Sequence, residues 1–125
     1  MRAVYCTIAL IFSFLFPCMA QSNRSHTKQL SKKDSEIIDN IHNLKKVKER
    51  EIYVDQQTHG KRHLQYAIWE YPSKENPNYW IKVMEDNGST YYTHFNFFVN
   101  SKTLHIQYYD TVEDTTIDIE NWKGE

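Results

Sequence analysis

From Ser31 onward the hydrophobic positions recur first at helical spacing and then with a period of two. Ile37, Ile41 and Leu44, with Ile38 beside them, recur at helical spacing behind Ser31 and Asp34, a serine and an acid placed as in a capping box. This predicts an amphipathic helix over 33–49. The period then drops to two over 51–57 and 63–71, either side of Thr58-His59-Gly60-Lys61, which predicts a hairpin with Gly60 at a positive φ. In the second arm Leu64, Ile68 and Tyr71 would also suit a helix, but its aromatic content favours a strand. Residues 72–78 hold two prolines and no large apolar side chain, and read as a loop.

The last third is richest in β-branched and aromatic residues. Runs at 79–85, 89–99 and 103–110 are separated by Asp86-Asn87-Gly88 and Asn100-Ser101-Lys102, as in an antiparallel meander. Alternation puts Tyr79, Ile81 and Val83 on one face of the first strand. It puts Tyr91, Thr93, Phe95, Phe97 and Val99 on one face of the second, and Leu104, Ile106 and Tyr108 on one face of the third. A three-residue loop at 86–88 would pair Val83 with Tyr91 and Ile81 with Thr93, and a two-residue turn at Asn100-Ser101 would pair Phe97 with Leu104. In the tail, Ile117, Ile119 and Trp122 are anchors between acidic residues, and either a strand or a helical turn fits them. The expected fold is therefore α+β, with one N-terminal helix packed on one face of a four- to five-stranded antiparallel meander sheet.

The same registers leave three rows on the opposite face: Lys82, Tyr92 and Tyr109; Trp80, His94 and Gln107; Asn78, Asn96 and His105. Trp and Tyr beside His and amides form a mixture enriched where proteins bind one another. Trp80, Lys82, Tyr92, His94, Asn96, His105, Gln107 and Tyr109 are accordingly the candidate binding face. The competing reading is that these cross-strand aromatics only stabilise an exposed sheet.

The first twenty residues carry one charge, Arg2, ahead of an uncharged run from Ala3 to Pro17 and a small-residue site at Cys18-Met19-Ala20. This is the form of a signal peptide over 1–20, followed by a polar leader at 21–30 and a single domain over 31–125. An exported protein follows, in a bacterial periplasm or outside the cell, with no membrane span after cleavage. The alternative is a lipoprotein through Cys18, against which Pro17 counts. Of the 15 Lys and Arg, one lies in that segment, leaving 14 against 16 Asp and Glu, a net of −2. Nothing in that balance suggests a nucleic-acid partner. Cys6 and Cys18 both precede the cleavage site, so the mature domain has no disulfide, no thiol nucleophile and no thiolate metal site.

No P-loop, dinucleotide fingerprint, GxSxG elbow or HExxH motif occurs, so no enzyme class, cofactor or metal is expected. His59 and His63 lie four apart, a spacing useful for a metal only on a helix. His94 and His105, with Asp110, form at best a weak site across neighbouring strands. The run YWIKVMEDNGSTYYTHFNFFVNSKTLHIQYYD after a helix resembles the helix-plus-sheet units of exported PepSY-type and cystatin-like domains, over Ser31 to about Asp110. The resemblance implies a non-catalytic module that binds or inhibits proteins, although no cystatin-type QxVxG loop is present. The expected function is an exported module contacting a protein or peptide, as an inhibitor or an immunity factor. The alternatives are an NTF2-like ligand-binding or enzymatic domain with a pocket lined by His94 or Tyr108, and a structural subunit of an envelope complex.

Overall fold

The computed structural model describes residues 29–124; the expected signal peptide, and all of the leader but its last two residues, lie outside them. The chain forms two helices, α1 (Lys32–His42) and α2 (Lys45–Gln57), and then five strands, β1 (Leu64–Glu70), β2 (Asn78–Asp86), β3 (Tyr91–Asn100), β4 (Ile106–Asp110) and β5 (Thr115–Asp118). The strands make one open antiparallel sheet in chain order, so the fold is α+β with a five-stranded meander.

Ser31 and Asp34 close α1 as the capping box predicted: the Ser31 hydroxyl accepts from the Asp34 N–H, and the Asp34 carboxylate accepts from the Ser31 N–H. The expected single helix is divided, because Asn43 ends α1 on the Asp39 carbonyl and Leu44 turns extended before α2 begins. The expected strand at 51–57 is the second half of α2. Its apparent alternation misled because Val47 and Val54, seven apart, are the buried positions, while Ile52 points to solvent. Lys, Glu, Arg and Gln around them are strong helix formers. The 58–61 segment is thus a helix stop and not a hairpin turn. His59 (φ 52°) and Gly60 (φ 74°) take positive φ, and their N–H groups return to the carbonyls of Gln56 and Asp55 as in a Schellman motif.

Ile37, Ile41, Val47 and Val54 from the helices share one core with Leu64, Tyr79, Ile81, Val83, Phe95, Phe97, Val99 and Tyr108 from the sheet. The expected faces hold for these strand residues, but the registers differ. Tyr79, Ile81 and Val83 pair with Val99, Phe97 and Phe95, and Phe97 pairs with Tyr108, not with Leu104. Both turns are longer than expected because an asparagine side chain organises each. The Asn87 carboxamide accepts from the N–H groups of Ser89 and Thr90, and that of Asn100 accepts from Lys102 and Thr103. Each slip is by an even number of residues, which keeps apolar against apolar. In the first hairpin one residue of that slip enters between Val83 and Met84, where His94 is left as a bulge. That odd step takes Tyr91 and Thr93 out of the core set. In the tail, β5 carries Ile117, and Trp122 beyond it packs on the core.

Candidate functional site

The sheet face away from the helices is built on two rungs. Trp80, Phe98, Gln107 and Asp118 are successive cross-strand partners on one, and Ala67, Lys82 and Asn96 on the next. Phe98 therefore stands where His94 was expected. Alternation from Phe97 already assigns Phe98 to this face, so the signal was in the sequence. A second bulge, at Trp69 in β1, adds another ring that the sequence pattern did not assign, and Trp69 is 56 % exposed.

These side chains bind one another into a cluster. The Lys82 ammonium lies 3.5 Å from the centroid of Trp69 and 5.0 Å from that of Trp80, a cation between two indoles. The Trp80 Nε1–H donates to Asn96 Oδ1 at 3.0 Å, which fixes the ring. Its edge meets Phe98 and Tyr109, each 5.8 Å away, and those two stack at 4.8 Å. The Tyr109 hydroxyl donates to Asp114 Oδ1 at 2.8 Å, and this bond to a carboxylate holds the phenol above its ordinary pKa.

Other expected residues lie apart from the cluster or at its rim. His105 precedes β4, and its Nε2 meets Asp118 Oδ1 at 2.9 Å, with Gln107 Nε2 donating to the same oxygen at 3.0 Å. Both bonds, the histidine's first, keep the Asp118 carboxyl below its usual range. The bulge carries His94 to the turn end of the sheet, where its Nε2 meets Glu85 Oε2 at 2.9 Å and only 7 % of its side chain is exposed. Tyr92, 61 % exposed, stands edge-on to that ring. Trp80, Lys82, Asn96, Gln107 and Tyr109 are thus brought together, His105 flanks them, and Tyr92 and His94 belong to a separate group. Asn78 pairs with Asn100 and takes no part.

His94 and His105 have different acidic partners, and His63 reaches towards Asp55 at 3.8 Å while His59 serves the helix stop. Among the described residues no three His, Cys, Asp or Glu side chains converge as a metal site. Tyr108, expected to line a pocket in the NTF2-like reading, stacks on Trp122 at 4.9 Å and, with His94, also lines an open cleft bordered by Tyr92, Asp110 and Glu113.

Glu85 also takes a bond from the Arg62 guanidinium at 3.2 Å. The His94 hydrogen bond, followed by that of Arg62, holds its carboxyl below the usual value against the opposing effect of desolvation. A carboxyl lowered by folding stabilises the fold above its ordinary pKa, and the contribution disappears as pH falls through the lowered value. Glu85→Gln is therefore expected to flatten the acid limb of the urea midpoint plotted against pH, leaving the neutral plateau reduced. Acid limbs that superimpose in parent and variant would show that the carboxylate is not linked to folding.

No known family model, curated protein or solved structure matches this chain.

Proposed function

We propose that this chain is an exported, non-catalytic binding module that contacts a protein or peptide through the sheet face centred on Trp69, Lys82, Trp80, Phe98 and Tyr109. A relationship to exported PepSY-type or cystatin-like domains is part of the same proposal. The observation that carries it is a contiguous cluster on the face the helices leave open, in which Lys82 lies between Trp69 and Trp80 and the Trp80 ring in turn meets Phe98 and Tyr109. Internal bonds hold Trp80 and Tyr109 in place, so a partner would meet side chains that lose little freedom on binding. Amides and carboxylates at the border supply hydrogen bonds that orient it.

The test uses residues 21–125 as bait for envelope and secreted proteins, beside Trp69→Ala and the Trp69→Ala, Phe98→Ala double variant, with equal folding verified by circular dichroism. A protein retained by the parent is expected to bind the double variant about thirtyfold or more weakly, as for central aromatic anchors. Undiminished binding by both variants would place the interface elsewhere.

A further inference from the structure

β3 and β4 are in register at only three positions, where Phe97, Phe98 and Val99 lie opposite Tyr108, Gln107 and Ile106. Before Phe97, the residues Tyr91, Tyr92, Thr93, Phe95 and Asn96 have ladder partners on β2 alone among the described residues. Beyond Tyr108, Tyr109 and Asp110 have them on β5 alone. The strands part where the His94 bulge raises the twist of β3, so that β4 does not follow it. A sheet otherwise paired strand to strand is thus forked, and roughly 20 Å of β3 directs backbone groups at a gap and not at a neighbour.

The fork is a cleft of about 450 Å³. One wall carries Tyr92, Thr93 and His94 of β3, the other Asp110 and Glu113 of the β4–β5 turn, and Tyr108 lies where the two strands part.

Its chemistry is that of an acceptor site. Asp110 Oδ1 takes the N–H groups of Val112 and Glu113, but Oδ2 and the Glu113 carboxylate have no partner among the described residues. A neutral His94 gives its Nε2–H to the Glu85 carboxylate. That leaves Nδ1, on a side chain only 7 % exposed, as an acceptor with no partner among the described residues. No lysine or arginine lines the cleft among those residues. A positively charged occupant rich in N–H donors is complementary to these groups, and the exposed Tyr92 ring beside His94 adds a face for a cation.

We propose that this fork is a docking site for an extended basic segment of a partner protein, which adds to β3 along 91–96 in the place β4 leaves and sets a lysine or arginine against Asp110 and Glu113. Main-chain bonds to β3 hold the segment, and the two carboxylates select its charge. Apart from Asn96, none of these residues belongs to the aromatic cluster, so the proposal does not depend on what that cluster binds.

The test is fluorescence anisotropy of three labelled heptapeptides titrated with residues 21–125. They are KVVKVVK, its acidic counterpart EVVEVVE, and KPPKPPK, which keeps the charge but lacks the N–H groups a ladder needs. KVVKVVK is expected to bind about tenfold or more tightly than either of the others, and amide exchange over 91–96 is expected to slow in its complex. Asp110→Asn combined with Glu113→Lys is expected to weaken that binding by about tenfold or more. The asparagine still offers an oxygen to the turn, and Glu113→Lys alone carries the test if the pair folds poorly. Trp69→Ala, which alters the aromatic cluster, is expected to leave the affinity unchanged. No binding of KVVKVVK, equal binding of KPPKPPK, or indifference to the carboxylate changes would overturn the proposal. So would a loss with Trp69→Ala as large as the loss at the carboxylates.

Discussion

Replacement of Phe97 by alanine is expected to lower the free energy of unfolding by about 3–5 kcal/mol. Phe97 is fully buried at the middle of β3, opposite Ile81 on one side and Tyr108 on the other. Its ring also meets Phe95 at 6.1 Å and Trp122 at 5.3 Å, so strand neighbours on both sides and the tail all touch one side chain. Alanine would leave a cavity whose walls belong to separate elements, each held by its own hydrogen bonds, so collapse into it is limited. A domain of this kind is stable by roughly 5–15 kcal/mol, and the loss is a large part of that. Urea unfolding should show a lower midpoint with an unchanged slope. A loss below about 1 kcal/mol would mean that the site repacks and that the ring is not central.

The second large effect is expected at Trp122, for which alanine should cost about 3 kcal/mol. Its indole stacks on Tyr108 and presents edges to Phe95 and Phe97 at 5.2 and 5.3 Å, covering the helix side of the sheet at the tail. The tail has only a four-residue strand ahead of it, so this ring supplies much of the packing that fixes the chain after β5. Phe97 and Trp122 are in contact, and their losses should not add. In a double-mutant cycle the pair is expected to couple by about 0.5–1.5 kcal/mol beyond separate burial, the range for aromatic pairs. Independent losses, or a Trp122→Ala protein as stable as the parent, would mean that the tail is only loosely applied to the core.

The two substitutions probe parts of the fold that were unequally legible. Phe97 follows from alternation in a run of aromatic and β-branched residues, where period two and strong β-propensity agree. Trp122 was recognisable as an anchor, but nothing near it specified whether a strand or a helical turn presents it. The candidate site was legible in the same uneven way. Trp80, Lys82, Asn96, Gln107 and Tyr109 reach one face because parity alone puts them there. His94 and Tyr92 do not join them, since a single extra residue in β3 reverses parity between the turn and Phe95. Trp69 joins from another bulge, at the opposite side of the cluster.

The sequence by itself determined the first helix start, the α+β class, the strand-bearing last third and the inward set Tyr79, Ile81, Val83, Phe95, Phe97, Val99 and Tyr108. Each depends on local periodicity or on a cap, and an even slip in register leaves such assignments intact. Tertiary structure decided the break at Asn43, the helical state of 51–57, the two bulges and the cross-strand partners. In α2, Ile52 and Val54 satisfy either period locally, and burial of Val47 with Val54 against the sheet selects the helix. In the hairpins, Asn87 and Asn100 set loop lengths through side-chain bonds to backbone N–H groups, and those lengths, not the strand patterns, fix which residues meet.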